Sequence, residues 1–291
     1  MAPYRFDDIY KKVPAEQKAH LKAFREKNPV RHIETSNTRW EYFSYGQGKK
    51  NLVLLVGGLR FGDAWFQLMM ALENEYRIIA PTYPGLVTMS DLVQDLEFIL
   101  KNEKIARAHV LGTSFGGWLA QCFVRAYPEK VDKLILSHTS VPGAIPTRLI
   151  AFALKVAAIF PTRMLQLSAR TNMLKIMSLT NSNREFWKAF WEEKINTHLL
   201  NQTREEALSL HTASLDYSRN YSFSPDDLTQ WPGQLCIIQS ENDKAIRAKA
   251  RKALRELYPQ AEVYTFLDAG HTPGYSKPDE YYKVLKNFLD K

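Results

Sequence analysis

The chain has 291 residues, of which 45% are hydrophobic and 24% are charged, and this composition excludes a disordered, collagen-like or low-complexity chain. Its formal net charge of +8 favours weak attraction to anionic surfaces or substrates. The basic residues are scattered along the chain and match no nucleic-acid-binding motif. We therefore expect a globular protein with no nucleic-acid partner.

The cysteines and the apolar segments indicate where such a protein works. Cys122 and Cys236 each lie inside an apolar run, which favours buried thiols over a disulfide. The N-terminal residues lack the apolar stretch of a signal peptide, and the longest apolar segment, Leu149–Phe160, is too short to span a bilayer. We predict a cytoplasmic location and no integral membrane segment. A smaller alternative is that Leu149–Phe160 forms an amphipathic helix that touches a membrane.

The first part of the chain predicts an arm followed by a strand. A helical pattern around Ala15–Arg25 indicates an N-terminal helical arm over residues 1–28, which packs either on the body of the protein or on another subunit. The oligomeric state stays open. Residues 40–45 alternate weakly in polarity and precede a turn with two glycines, which predicts an antiparallel strand.

From about residue 51 onward, short apolar runs alternate with helical patterns, which predicts a mostly parallel sheet covered by helices. The strand-sized runs are residues 51–56, 76–80, 109–111, 134–136, 235–238 and 263–266. Ser90 is the predicted N-cap of one covering helix, and the last helix follows Pro278.

The alternation is interrupted between residues 141 and 229 by helical stretches without a convincing strand. We predict that residues 1–140 and 230–291 form the core and that residues 141–229 form an inserted helical cap. Two apolar stripes at helical spacing mark this cap. Their members are Leu149, Phe152, Ala153 and Val156 in the first stripe, and Phe186, Trp187, Phe190, Trp191 and Ile195 in the second. These side chains either pack the cap onto the core or line an apolar pocket.

A serine lies in the segment Gly112-Thr113-Ser114-Phe115-Gly116, between a predicted strand and a predicted helix. A serine hydroxyl becomes a good nucleophile only when it is held exposed beside a base, and a sharp strand-to-helix turn does this by straining the backbone. Side chains at Gly112 and Gly116 would collide with such a turn. The helix that follows would aim its N–H groups and positive end at the reaction centre.

Two further residues follow later strands. Asp243 comes after the strand at residues 235–238, and His271 lies between the last strand and the final helix. The order Ser114, Asp243, His271, in these contexts, resembles the alpha/beta-hydrolase superfamily from about residue 40 to residue 290.

That resemblance implies an α/β fold in which Ser114 is the nucleophile and His271 is the general base and acid. Asp243 would orient the imidazole and stabilise its cation. Glu241 and Asp268 are rivals for the acid. The resemblance favours Asp243, a few residues past a strand end, whereas Asp268 fits a turn former.

The resemblance also implies two backbone donors for a developing oxyanion, the N–H groups of Phe115 and Leu59. Gly57 stands where many family members have a histidine, which leaves the rigidity of this loop open. Arg60 either faces solvent, as is usual for an arginine, or meets an anionic group of the substrate. Asp63 most simply caps the helix that follows.

The remaining histidines show no metal-ligand spacing, and no glycine-rich segment has the spacing of a phosphate-binding loop. We expect neither a metal nor a cofactor. The residues therefore predict a hydrolase that cleaves an ester, lactone or thioester bond of a small, apolar molecule. A carbon–carbon hydrolase, an aminopeptidase or a lyase would use the same triad, because the fold does not decide among these reactions.

A non-catalytic binding module is the rival from another class. Phe6-Asp7 with Val13-Pro14, and the short link from Tyr83-Pro84-Gly85 to Ser90, faintly resemble the maspardin branch of the superfamily. That branch acts chiefly in protein interactions, whereas the retained serine, aspartate and histidine favour an enzyme.

Overall fold

A computed structural model describes residues 5–36, 38–85, 88–177, 179 and 183–291, with the side chains at 172–175 outside the description. Positions 86–87 of the maspardin-like link and the first four residues of the arm lie outside the described residues.

One eight-stranded sheet forms the centre of the molecule, with the order β1-β2-β4-β3-β5-β6-β7-β8. Its strands are β1 Arg31–Glu34, β2 Arg39–Tyr45, β3 Lys50–Leu55, β4 Tyr76–Thr82, β5 Ala108–Thr113, β6 Val131–Ser137, β7 Gln234–Ser240 and β8 Glu262–Phe266. Strand β2 pairs antiparallel with both β1 and β4, and all pairings from β4 to β8 are parallel. The predicted α/β fold with a mostly parallel sheet is confirmed.

Helices flank the sheet. In the described part of the chain they are α1 Phe6–Ile9, α2 Ala15–Lys27, α3 Phe66–Leu72, α4 Met89–Asn102, α5 Phe115–Ala126, α6 Thr147–Ala157, α7 Thr162–Ile176, α8 Arg184–Thr197, α9 Arg204–Asn220, α10 Ala248–Leu257, α11 Pro273–Ser276 and α12 Pro278–Leu289. Short 3-10 helices cover Gly62–Trp65, Pro128–Lys130, Leu199–Asn201 and Pro225–Leu228.

The core lies along strands β3 to β7, whose central residues are almost completely buried. Continuous apolar runs form these strands because helices cover both faces of a parallel sheet. Cys122 and Cys236 are buried and free, as their apolar surroundings predict.

Two local features differ from the sequence interpretation. Strand β1 was not predicted, because it pairs only with β2 at the sheet edge and carries no apolar run. Ser90 is not the N-cap of α4: Thr88 accepts from the Asp91 N–H, and the Asp91 carboxylate accepts from the Thr88 N–H. This reciprocal pair begins the helix two residues earlier than an N-cap at Ser90 would.

Helices α6 to α9 follow β6 and precede β7, and the described residues of 141–229 include no strand. The exact limits of a cap stay a prediction. No helix within the described residues is long and apolar enough to cross a membrane.

The two apolar stripes of this segment have different environments. On α8, Phe186, Trp187 and Phe190 are buried against the core, in agreement with the packing interpretation. On α6, Leu149 and Phe152 are exposed, with 55% and 66% of their surface accessible. Neither interpretation of the first stripe, packing on the core or lining a pocket, holds for these two side chains.

The N-terminal arm is tied to α8 by a charged cluster. Glu193 accepts from Tyr10 Oη at 2.6 Å and from both terminal nitrogens of Arg25 at 2.8 and 3.1 Å. Asp63 lies beside the ion pair of Glu193 and Arg25, and it binds Lys194 Nζ at 2.6 Å. Asp63 therefore bridges cations and does not cap α3, whose N-cap residue is Trp65. The arm packs on its own chain in this structure.

Glu193→Ala should lower the free energy of unfolding by about 2 kcal/mol, because it removes the acceptor of the Tyr10 hydroxyl and leaves Arg25 with only its 3.5 Å contact to Asp63. Urea denaturation followed by circular dichroism measures the loss. Lys22→Ala is the matched control, since it breaks an exposed ion pair with Asp7 in the same arm, and it should cost less than about 1 kcal/mol. Equal effects of the two substitutions would contradict a structural role for the cluster.

Candidate active site

Ser114 occupies the sharp turn between β5 and α5, with φ 51° and ψ −117°. This backbone conformation is strained for a residue with a side chain. The neighbouring glycines make the turn possible: a Cβ atom at Gly112 would lie 2.3 Å from the Gly116 carbonyl oxygen, and one at Gly116 would lie 2.2 Å from the Leu55 carbonyl oxygen. The structure therefore leaves no room for a side chain at either glycine, as the sequence predicts.

Strand β6 and the residues after it hold this turn in place. The Ser114 N–H donates to the Ser137 carbonyl at 3.0 Å, and the Thr139 hydroxyl donates to the Ser114 carbonyl at 2.7 Å. Helix α5 begins at Phe115, so its first N–H groups and the positive end of its dipole lie at the turn.

The structure brings His271 and Asp243 together. His271 Nδ1 lies 2.9 Å from Asp243 Oδ2, and the other carboxylate oxygen accepts from the N–H groups of Ala245 and Ile246. Burial raises the pKa of the Asp243 carboxyl, but the hydrogen bond and charge of His271 and the backbone donors outweigh burial and hold this pKa below its usual value. With Nδ1 bonded to the carboxylate, Nε2 is the imidazole nitrogen left for other chemistry.

The two rival acids lie elsewhere. Asp268 is exposed and pairs with Lys277, and Glu241 is exposed at the end of β7. Asn242, the residue after Glu241, supports the loop that carries His271, because its side chain accepts from the Gly270 N–H at 2.8 Å.

The loop after β3 lies against the serine. A Cβ atom at Gly57 would stand 3.4 Å from Ser114 Cβ, so the absence of a side chain there leaves room beside the nucleophile. The Arg60 N–H donates to the Gly57 carbonyl at 3.0 Å. The Tyr83 N–H donates to the Arg60 carbonyl, and the Tyr83 hydroxyl donates to the Val56 carbonyl, so Tyr83 binds both sides of the loop. The loop is thus fixed without a histidine at position 57.

A cavity of about 890 Å³ joins these parts. Ser114 and His271 line it, as does Leu59. The segment between β6 and β7 contributes apolar walls and two histidines, the residues Ile176, Met177, Trp191, Ile195, His198, Leu210 and His211. This volume and lining suit a small molecule with apolar parts.

The cavity also contains a cation without a carboxylate partner in the described part of the chain. Arg60 has φ 72°, lines the cavity and donates to the Ser209 hydroxyl on α9. Burial lowers the pKa of its guanidinium to about 10, and the charge of Glu206 only partly offsets this effect. Arg60 therefore stays charged near neutral pH and is only partly exposed.

Apart from His271, the other basic groups at the wall are paired or have lowered pKa values, and Arg39 forms an exposed ion pair with Glu34 at 3.6 Å. Lys194 is bound by Asp63. Burial lowers the pKa of His198, helped by the charge of Lys194, and burial with the charge of Arg60 does the same for His211. Arg60 therefore differs from Lys194 and Arg39 in having no ion-pair contact within the described residues, with Glu206 as the nearby negative charge.

His138 is a buried neighbour of the site to which the sequence analysis gave no role. It follows β6 with φ 47°, and its ring lies edge-on to that of His271 with centroids 6.1 Å apart. Its ring nitrogens bond to Ser137 Oγ at 3.0 Å and to Ser240 Oγ at 2.7 Å. Burial, with the charge of His271, lowers its pKa to about 3, so the imidazole is neutral. Its place at a strand end was the signal that could have drawn attention to it.

No group of three or more metal-ligating side chains was found among the described residues.

The comparison with protein families is decisive for the fold: the model of the alpha/beta hydrolase family matches residues 52–284, well over half of the chain. The chain belongs to the alpha/beta hydrolase family.

Relatives of this alpha/beta hydrolase support the assignment. It is 25% identical over 265 residues to the 2-hydroxy-6-oxononadienedioate/2-hydroxy-6-oxononatrienedioate hydrolase of Escherichia coli K12, a match that covers 84% of this chain and 88% of that protein. A carboxylesterase structure from Nitrososphaera gargenis has a TM-score of 0.70 at 20% identity, with 89% and 98% of the chains covered. The meta-cleavage product hydrolase from Pseudomonas fluorescens IP01 has a TM-score of 0.68 at 19% identity, with 89% and 97% covered. The two structures show a shared fold.

The buried imidazole of His138 should make this alpha/beta hydrolase sensitive to acid. The unfolded chain binds a proton at this residue below its ordinary pKa of 6.5, whereas the folded chain does not until about pH 3. Stability is therefore full above pH 6.5 and falls as the pH drops, by about 1.4 kcal/mol per pH unit from this group.

His138→Asn should reduce that slope, as measured by urea denaturation at several pH values between 7 and 5. His109, whose pKa burial lowers to about 4, adds dependence of the same sign and should keep part of the slope in the variant. An unchanged slope would contradict the neutral state of His138.

Proposed function

We propose that the protein is a serine hydrolase that cleaves an ester, lactone or thioester bond of a small, largely apolar substrate through an acyl-enzyme on Ser114. The observation that carries this proposal is the strained turn that presents Ser114 to the same cavity as His271, with Asp243 bonded to the far side of that imidazole. Membership of the alpha/beta hydrolase family supports hydrolysis in general.

In the proposed acylation, Ser114 Oγ bonds to the substrate carbonyl carbon while His271 Nε2 takes the serine proton. The negative charge on the carbonyl oxygen is stabilised by the N–H groups of Phe115 and Leu59. As the intermediate collapses, the bond to the leaving group breaks and the imidazole returns the proton to it. Water activated by His271 then attacks the acyl carbon, which releases the acid and restores Ser114.

The cation that forms on His271 during both steps needs a nearby negative charge. Asp243 is suited to this task because its pKa is held below the usual value, so its carboxylate stays ionised across the working range of an esterase. The bond to Nδ1 also fixes the ring orientation that places Nε2 on the opposite side.

Ser114→Ala should abolish labelling by a fluorophosphonate probe and lower the turnover of p-nitrophenyl esters at least about a thousandfold, because the acyl-enzyme can no longer form. Gel fluorescence and p-nitrophenolate release, with acyl chains of increasing length, measure the two effects. Ser90→Ala, an exposed serine on α4, is the matched control and should behave like the natural protein.

A folded natural protein that neither labels nor turns over any ester would overturn the esterase proposal. The non-catalytic interaction module with its maspardin-like arm would then lead, together with a lyase. Partner capture with the purified chain would be the next measurement in that case.

A second candidate rests on Arg60. The charged guanidinium lines the cavity without an ion-pair contact to a carboxylate among the described residues, and a partly buried cation of this kind is stabilised by an anionic ligand. A substrate with a carboxylate would be such a ligand, bound through charge-assisted hydrogen bonds. The Escherichia coli relative acts on a compound whose name ends in dioate, which denotes two carboxylates. On this candidate the reaction is cleavage of a carbon–carbon bond in a keto acid by the same triad.

Arg60→Gln should lower kcat/KM for an ester with an anionic acyl group, such as mono-4-nitrophenyl glutarate, by about 10- to 100-fold. Turnover of the uncharged 4-nitrophenyl butyrate should change little, and the ratio of the two rates is the measurement. Ser209→Ala is the control, because it removes the contact of Arg60 with α9 and keeps the charge. An equal loss for both esters would show that Arg60 only supports the loop and would leave the apolar substrate class in place.

A further inference from the structure

Large apolar side chains are exposed on one part of the molecule far more than elsewhere. Of the twelve most exposed ones in the described part of the chain, eight lie between residues 145 and 176. They are Ile145, Leu149, Phe152, Ile159, Phe160, Met164, Leu167 and Ile176. Scattered exposed apolar residues are normal, but a concentration of this kind in α6, α7 and the residues beside them indicates an interaction surface.

The same segment has an extreme charge pattern. Residues 141–176 contain five basic residues and no acidic residue. The four basic residues with described side chains, Arg148, Lys155, Arg163 and Arg170, are all exposed. This segment therefore exposes apolar side chains together with basic side chains, and it contains no acidic residue.

Helices α6 and α7 arrange these groups in the same way. Each carries a cation followed at once by an apolar residue, a second apolar residue three positions later, and a second cation three positions after that. The residues are Arg148, Leu149, Phe152 and Lys155 in α6, and Arg163, Met164, Leu167 and Arg170 in α7. We call these eight side chains the outer cap face. At helical spacing each set forms one exposed stripe with its cations along one border.

The opposite sides of both helices are held by α9 and its neighbours. Thr147 Oγ1 lies 2.7 Å from Ser218 Oγ at the start of α6, and Arg204 donates to the carbonyls of Ala157 and Phe160 at 3.2 and 2.8 Å at its end. Gln166 Nε2 donates to the Gln202 carbonyl at 3.0 Å. The apolar stripe thus faces outward because the inner side of each helix is already bonded.

We propose that the outer cap face is a docking surface for an anionic lipid bilayer. Apolar side chains that enter the boundary between headgroups and acyl chains gain burial, and cations beside them meet the negative headgroups. A second copy of this chain fits less well, because a two-fold contact would place one basic, acid-free face against another. A nucleic acid would use the cations and leave Phe152 and Leu167 without a partner. This inference does not depend on the reaction at Ser114.

Co-sedimentation with vesicles tests the proposal. The natural protein should bind vesicles of phosphatidylcholine with added phosphatidylglycerol, should bind pure phosphatidylcholine vesicles weakly, and should lose affinity as salt is raised. Failure to bind the anionic vesicles at low salt would overturn the proposal.

Two paired variants separate the apolar and charged contributions. Phe152→Ser with Leu167→Ser should weaken binding at least about tenfold through lost burial. Lys155→Gln with Arg170→Gln should weaken it about fivefold per charge removed. All four residues are exposed, so the circular dichroism spectrum and Tm should stay unchanged.

Matched controls carry the same changes elsewhere on the surface. Phe98→Ser with Val263→Ser replaces side chains that are 43% and 42% exposed, and Lys249→Gln with Lys252→Gln removes two exposed charges. Both controls should bind vesicles like the natural protein or nearly so. The proposal is wrong if the controls lose as much binding as the outer-face variants, or if only the charge variant matters, as for a general polyanion site. It is also wrong if gel filtration shows a dimer that Phe152→Ser with Leu167→Ser abolishes, which would make the face an interface between copies.

Discussion

The backbone at Ser114 is the constraint on which the rest of the site depends. A residue with φ 51° at the junction of β5 and α5 stores strain of about 1–3 kcal/mol, which the surrounding structure must hold. Two hydrogen bonds to the Ser114 backbone, made with Ser137 and Thr139, do so. The same turn demands glycine at 112 and 116 and places the first N–H groups of α5 beside the serine. One local conformation therefore fixes the nucleophile position, one proposed oxyanion donor and the approach of helix to sheet.

The parallel sheet then brings distant residues to that turn. Strands β5 to β8 are parallel neighbours, so the loops after them meet at one edge of the sheet. Ser114, His138, Asp243 and His271 come from the ends of these four strands. His138 lies edge-on to His271 as a neutral ring with both nitrogens bonded, which keeps a second positive charge away from the cation proposed to form on His271. The acid sensitivity of the fold is the consequence of placing an imidazole there.

The segment between β6 and β7 has three separate tasks, each with its own chemistry. Helix α8 buries its aromatic residues against the core and is tied to the N-terminal arm through Glu193. Helix α9 presents Ser209 to Arg60 at the cavity wall and anchors α6 and α7. Helix α7 lines the cavity with Ile176 and contributes its other exposed residues to the outer cap face. If the outer cap face docks to a membrane as proposed, the membrane would therefore lie next to the wall of the proposed substrate cavity.

The sequence by itself determined the α/β fold and drew attention to Ser114, because apolar periodicity and the glycines of a strained turn are local patterns. Asp243 and His271 joined the set through their order and strand-end contexts, which resemble the alpha/beta-hydrolase superfamily. The catalytic roles of the three residues stay predictions. Only the tertiary structure decided the partners of Asp63, the place of His138, the partial burial of Arg60 and the exposure of Leu149 and Phe152. Helical spacing tells which side chains share a face, but whether that face meets the core, a cavity or solvent depends on elements far away in the chain. Charged side chains are decided in the same way, since their partners come from helices and loops that the sequence does not place side by side.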